Sequence, residues 1–388
     1  MGALNSLDFW QSASSCVLAN HRSDSMVQMA KGVERWLEKQ SAYDGCVWLA
    51  TSGSSGRARF VCLPKVALLE SAKWVNEHLQ VSSEDRWLCA LPSFHVGGLA
   101  IYARAVQSAC ELSIYDAEWD ASLFCQSLEG QSITLTSLVP TQVHDLVASG
   151  LSCPTTVRAV IVGGEKMDVS LGQAARDLGW PVLQSYGMTE AGSQIATEPL
   201  DALQQNFSGE WLDLLSGWQV RVAQQGGSLQ IKGAALCRGY LQQVQGGEMF
   251  FSEAGDDDSW FTTTDRVLLS EGGREPCLKV LGRSDDVVKV LGEQVSLGHL
   301  NRNLQKIVER EKDLHDAVIL ALPDERKGKR LVAAVVGEAS AVDRLMSEYH
   351  QLVAPYERID ELRIVDELPR SALGKVSRAE LLKLMGQE

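Results

Sequence analysis

The sequence predicts an α/β protein: a large layered α/β N-terminal domain carrying a small β-rich subdomain, followed by an α+β C-terminal domain. Three observations predict it. Strand-like and helix-like segments alternate between residues 46 and 184, the pattern of helices packed on sheets. From Gln219 the texture turns to short strands and Gly-rich turns. A second change, at Gly282-Arg283-Ser284-Asp285-Asp286, opens a further run of helix, strands, helix and strand. These changes place a large domain at residues 1–282, its β-rich stretch at about 215–282, and a second domain at 283–388. A chain of 388 residues can support two or three cores of this kind.

Taken in order, Met26, Met29, Val33, Trp36 and Leu37 recur at helical spacing and predict a helix over Ser25 to Gln40. The apolar run Cys46-Val47-Trp48-Leu49-Ala50 reads as a buried strand leading into the loop Thr51 to Phe60, TSGSSGRARF. Val66, Leu69, Ala72, Val75 and Leu79 mark a second amphipathic helix. Trp87 to Leu91 is a short strand that ends in a Gly-containing turn, Pro92 to Gly98. Strands follow at Leu112 to Tyr115, Ile133 to Val139, Val157 to Val162 and Pro181 to Gln184, with helices opened by Pro140 and over Val169 to Leu178. Further strands are expected at Gln219 to Val222, Ser228 to Gly233 and Leu278 to Gly282, with a surface loop at Glu253 to Ser259. The last domain reads as helix Leu297 to Arg310, strands Ala317 to Leu322 and Leu331 to Val336, helix Val342 to Val353, strand Leu362 to Val365 and a final helix.

Composition narrows the function classes. Hydrophobic residues at 45% and charged residues at 22% are those of an ordinary globular protein. The longest apolar runs are far too short to span a bilayer, and no basic region followed by an apolar stretch opens the chain, so a cytoplasmic location is the default expectation. Nine cysteines, without C-x-x-C pairs, suggest reduced thiols rather than a disulfide framework or a zinc site. A net charge of −14 argues against nucleic-acid and membrane surfaces as partners. An anionic ligand would have to be held by local Arg, Lys and backbone N–H groups.

The loop TSGSSGRARF is suited to that task. Glycines let the backbone approach a ligand, and hydroxyls with successive N–H groups wrap phosphate oxygens. Taken alone it fits a flexible solvent loop equally well, and it is not the G-x-x-x-x-G-K-[ST] loop, because Arg57 and Ala58 follow Gly56. Three further stretches decide between these readings: Ser185-Tyr186-Gly187-Met188-Thr189-Glu190, Thr264-Asp265 with Gly282-Arg283-Ser284-Asp285, and Leu373-Gly374-Lys375.

In this order and spacing the four stretches resemble the core motifs of the adenylate-forming superfamily, which includes acyl- and aryl-CoA synthetases. The strings SYGMTEAGSQIAT, SLVPTQV and PSFHVGGL are most similar to its o-succinylbenzoate-CoA ligase branch, of menaquinone biosynthesis. The resemblance implies an ATP-dependent acid–thiol ligase using Mg²⁺ and coenzyme A, whose partners are small molecules, with a homodimer as one expected assembly. It implies that Thr51, Ser52, Gly53, Ser54, Ser55 and Gly56 hold phosphates. Gly163, Gly164 and Glu165 would form a wall beside adenine, on which Tyr186 stacks next to Gly187. Thr189 would meet phosphate, Glu190 would help hold Mg²⁺, and Asp265 and Arg283 would take the ribose. Lys375, on a mobile C-terminal lid, would act in the first step, with Asp285 as the hinge. His95 and Ser185 would line the acyl pocket, and Lys166 and Arg104 read either as surface charges or as partners of a second substrate carboxylate.

Each residue also has an ordinary reading as a core tyrosine, a cap neighbour, a turn residue or a solvated lysine. The sequence departs from the family in three places. Arg57 and Arg59 stand where a lysine is usual, with Phe60 in place of a glycine; no glycine precedes Asp265; and the N-terminal region ahead of the loop reads as shortened. A guanidinium keeps the anion role, since it stays charged and binds phosphate bidentately. Two alternatives stay open: a CoA synthetase for another aryl or fatty acid, and a degenerate acyl-adenylate-binding protein.

Overall fold

The computed structural model describes residues 2–21, 23–51, 59–223, 227–244, 248–256, 258–270, 276–284, 286–324, 326–370, 374 and 376–385. Ser52, Gly53, Ser54, Ser55, Gly56, Asp285 and Lys375 lie outside the described residues. The chain divides into two compact units: Met1–Gln224 with Leu229–Thr263 and Val267–Val280, and Leu281–Glu388 with two short stretches at 225–228 and 264–266.

The first unit is built on two sheets. The larger has eleven strands, in the order Gln219–Val222, Ser228–Lys232, Phe261–Ser270, Cys277–Arg283, Leu212–Leu214, Ser193–Thr197, Val182–Met188, Ala159–Val162, Leu135–Leu138, Arg86–Cys89 and Glu111–Ile114. Its last five strands are parallel. Apolar residues fill both of their faces because helices cover both. Leu88, Val160, Val162 and Val182 pack with Phe124, Leu128, Val143 and Leu146, while Trp87, Cys89, Leu135, Ile161 and Leu183 pack with Leu99, Ile101 and Tyr102.

The smaller sheet has five strands, in the order Cys16–Leu18, Cys46–Thr51, Arg59–Pro64, Gly239–Gln243 and Met249–Glu253. Thr51 pairs with Arg59 across the antiparallel strands that flank the expected phosphate loop. Phe60 explains itself here: it is fully buried, opposite Ala50 and Leu241, in a cluster with Trp48, Trp36 and Phe251. A glycine there would leave a hole where an aromatic ring now packs. The three strands expected in the β-rich stretch all join the larger sheet; of the six strands described between Gln219 and Arg283, four extend the larger sheet and two the smaller.

The amino-terminal segment is tied down by a buried cation. Lys65 is 2% exposed, and its Nζ donates to Phe9 O at 2.6 Å, Ser14 O at 2.7 Å and Ser12 Oγ at 3.0 Å, over the ring of Phe9.

Several elements differ from expectation, among them the strand Arg59–Pro64 and the helix Ala121–Gly130, which the sequence reading does not place. The turn expected at Pro92 to Gly98 continues into a helix, Val96–Ser108. Leu99 to Ala105 are all buried, so the helix has no polar face and no 3.6-residue period to read. The second amphipathic helix forms as Lys65–His78, but Val66 is 71% exposed; Ala67, Leu68, Ala72, Val75 and Leu79 make its buried side.

The second unit holds a hairpin, Val287–Val290 with Glu293–Ser296, and a three-stranded sheet in the order Leu314–Asp324, Gly328–Gly337 and Glu361–Ile364. Alternation places Ile319, Leu331, Ala333 and Val335 against helices Leu297–Val308 and Ala339–Leu352, and Val318, Leu320, Val332 and Ala334 against Leu381 of helix Arg378–Leu384.

Asp85 staples the amino ends of the parallel strands. It takes Arg158 Nε at 2.8 Å and Nη2 at 2.7 Å, the Thr134 hydroxyl at 2.7 Å and the Ser82 N–H at 2.9 Å. Burial pushes its ionisation up, but these donors outweigh that and bring it down to about 2 from the ordinary 3.8. A depressed carboxyl stabilises the fold above its unfolded pKa and loses that contribution as pH falls through its folded value, here between about 4 and 2. The shift is worth about 2 kcal/mol. Asp85→Asn is therefore expected to cost about 2 kcal/mol at neutral pH and to flatten the loss of stability across that acid window, read by urea denaturation followed through tryptophan fluorescence.

Candidate active site

The carboxyl ends of the parallel strands carry most of those expected residues that are described, as open α/β sheets require. The strand Ala159–Val162 ends in Gly163-Gly164, where Gly164 has φ +89°. Buried Gln184, on the neighbouring strand, ties this turn down: Nε2 donates to Glu165 O at 3.2 Å and to Ser185 O at 2.9 Å, while Oε1 accepts from Met167 N at 2.8 Å. Ser185 donates to Val162 O at 3.0 Å, and a Cβ on Gly163 would stand 3.0 Å from its hydroxyl. Ser185 and the Gly163 to Glu165 turn are thus brought together. Half-buried Tyr186 follows at a bulge, and Gly187 is obligatory there, because a Cβ would fall 1.8 Å from Ser193 O.

Thr189 and Glu190 stand on a short 3₁₀ turn, Thr189–Ala191, closed by Gly192 at φ +63°. Glu190 Oε1 accepts from Arg59 Nη2 at 3.1 Å and from the Tyr240 hydroxyl at 3.0 Å. The Arg59 guanidinium lies 3.8 Å over the Tyr240 ring. Glu190 O also accepts the Cys237 N–H at 2.8 Å. Among the described residues, Glu190 Oε2 takes no hydrogen bond. Burial and the nearby carboxylate push the Tyr240 phenol well above its usual range, and burial, then Glu190, push the Cys237 thiol up to about 12. Both therefore stay protonated. One carboxylate with a nearby hydroxyl is a donor set that fits Mg²⁺ held largely by nucleotide phosphates.

His95 caps the helix Val96–Ser108, with its ring 4.9 Å from that of Phe94. On the same helix, Arg104 is 1% exposed, which overturns the reading of it as a surface charge; Lys166 is exposed. Arg104 donates to Ser193 Oγ at 3.0 Å and Ser137 Oγ at 3.4 Å, with the Trp87 ring 5.5 Å away. Among the described residues no carboxylate pairs with it, and burial pulls its ionisation down to about 10. Ser193, its nearest partner, holds φ 141°, a conformation that side chains rarely adopt.

In the second unit, buried Asp265 lies in the stretch 264–266, Arg283 is exposed at a strand end, and Ser284 N–H donates to Thr264 O at 2.6 Å. Thr51, at the end of its strand, lies 3.5 Å from Arg59 O through its hydroxyl. Sequence reasoning did not find Tyr240, Gln184 or Ser193. Tyr240 reaches Glu190 only through strand pairing, which leaves no local signal.

Residues 8–241 match the model of the AMP-binding enzyme family, and residues 304–375 match the AMP-binding enzyme C-terminal domain. The chain belongs to the AMP-binding enzyme family. It is 30% identical over 341 residues to a 2-succinylbenzoate–CoA ligase of Listeria monocytogenes, covering 85% of this chain and 68% of that protein. It is 28% identical to one of Bacillus pumilus, covering 85% and 67%. The o-succinylbenzoate CoA synthetase of Bacillus subtilis in complex with its acyl-adenylate intermediate superposes with a TM-score of 0.73 at 25% identity, over 86% of this chain and 68% of that one.

A buried cation without an acid is costly to the fold, roughly 3 kcal/mol for the shift at Arg104. Arg104→Met, of similar volume, is expected to raise stability by roughly 1 to 3 kcal/mol in chemical denaturation. Loss of stability would show that the serine contacts outweigh the desolvation.

Proposed function

We propose that this chain is an AMP-forming acid–thiol ligase that adenylates o-succinylbenzoate and transfers the acyl group to coenzyme A. The observation that carries the choice of acid is Arg104, a buried guanidinium on the helix that His95 caps, with serine hydroxyls and, among the described residues, no carboxylate paired with it. A dicarboxylate substrate supplies the missing negative charge with its second carboxylate while the first reacts. The names of the similar ligases support the same acid.

In the first step a carboxylate oxygen of the acid attacks the α-phosphorus of ATP, the bond to the β-phosphate oxygen breaks, and pyrophosphate leaves. In the second, the thiol sulfur of coenzyme A attacks the acyl carbon, the carbon–oxygen bond to AMP breaks, and the thiol proton is released. Tyr186 stacks on adenine against the Gly163 to Glu165 turn. The hairpin loop with Thr51 holds the β- and γ-phosphates, and Asp265 and Arg283 take the ribose hydroxyls. Glu190 and Thr189 are the residues that would hold Mg²⁺, which when bound neutralises charge on the phosphate oxygens. Lys375 supplies a cation to the first step, and rotation about Asp285 withdraws it for the second. All three substrates are small molecules, and no helix among the described residues is long and apolar enough to cross a membrane. A cytoplasmic location is part of this proposal.

Incubation with ATP, Mg²⁺, coenzyme A and o-succinylbenzoate is expected to release pyrophosphate and form a thioester. Silence with this acid beside turnover of other aryl or fatty acids would remove the choice of substrate and leave the chemistry. Arg104→Met should lower kcat/KM for o-succinylbenzoate by about 10²-fold or more while sparing benzoate, an acid with one carboxylate. Lys375→Ala should slow adenylation by about 10²-fold and leave thioester formation from preformed adenylate nearly intact; equal loss in both half-reactions would contradict the hinge.

A further inference from the structure

Tyr240 has no part in the reading of the sequence, yet it touches both charged groups at the phosphate end of the site. It stands opposite Val61 in the pairing of strands Gly239–Gln243 and Arg59–Pro64. That register makes Arg59, two residues before Val61, its diagonal neighbour on the same face, within reach of a long side chain. The ring carries the Arg59 guanidinium at 3.8 Å, and the hydroxyl donates to Glu190 Oε1 at 3.0 Å. Three residues earlier, Cys237 N–H fixes the Glu190 backbone carbonyl at 2.8 Å. One stretch of chain thus holds Glu190 at its carbonyl and at its carboxylate.

The arrangement resolves a conflict. Arg59 alone, at 3.1 Å, would neutralise the carboxylate that the proposed reaction gives to a metal ion. Tyr240 divides the two charges. Its ring face offers the guanidinium a second attraction, so Arg59 keeps a place beside the phosphate loop when its hold on Glu190 loosens. Its hydroxyl holds the oxygen that Arg59 shares, which leaves Oε2 for a hard cation. We propose that Tyr240 is a positioning residue that orients Glu190 toward a divalent metal ion and parks Arg59 beside it. This rests on the reading that Glu190 meets the metal of Mg·ATP.

The test is ATP binding by titration calorimetry, with and without Mg²⁺, on the full chain. For wild type, Mg²⁺ is expected to strengthen ATP binding. In Tyr240→Phe, which keeps the ring, that gain should shrink by about tenfold, the usual cost of losing a hydrogen bond to a metal ligand, while binding without Mg²⁺ stays unchanged. Glu190→Gln should abolish the gain, and adding Tyr240→Phe to it should cause no further loss. Tyr240→Leu, which removes the ring as well, should weaken binding without Mg²⁺ too. An undiminished gain in Tyr240→Phe, additive losses in the double variant, or losses spread equally over binding with and without Mg²⁺ would overturn the positioning role alone. Absence of any Mg²⁺ gain in wild type would overturn it together with the role given to Glu190.

Discussion

The shared carboxylate of Glu190 is the contact on which the architecture of the site turns. Arg59, Glu190 and Tyr240 lie far apart in the chain and meet because a hairpin, a 3₁₀ turn and a returning strand converge. Arg59 and Tyr240 belong to the smaller sheet, whereas Glu190 directly follows a strand of the larger one. The triad therefore sets the strands Cys46–Thr51 and Arg59–Pro64 against the carboxyl ends of the parallel strands. Both partners of the carboxylate are partly shielded from water, where charge-assisted hydrogen bonds gain strength.

The fold was largely legible because its strands announce themselves. Runs such as Ala159 to Val162 are apolar throughout, bounded by turn residues, and become parallel strands buried on both faces. The helix Val96–Ser108 was not legible, since complete burial erases the periodicity by which a surface helix is recognised. Val66 misled for a related reason: an apolar residue at helical spacing satisfies the pattern even when its neighbour Ala67 takes the buried position.

The site divides along the same line. Gly187 and Glu190 sit in a contiguous motif, and their surroundings fit it, down to the missing Cβ that Ser193 O excludes. The surface reading of Arg104 rests on the base rate for arginine, which fails when burial among serine hydroxyls and a tryptophan face holds the guanidinium. Tyr240 and Gln184 act across strands, and pairing of strands far apart in sequence leaves no trace in the residues beside them.

The Lys65 anchor differs in kind from the ties of the second unit. Its acceptors are carbonyl dipoles and a hydroxyl around a buried ammonium, and none of them is a charge that dissolved ions compete for. The second unit instead relies on partly exposed pairs, Arg378 with Asp286, Arg370 with Asp316 and Lys327 with Asp360, which dissolved salt screens over a Debye length of about 8 Å at physiological strength. Ionic strength is therefore a lever on the cohesion of the carboxyl-terminal unit that leaves the amino-terminal clasp untouched.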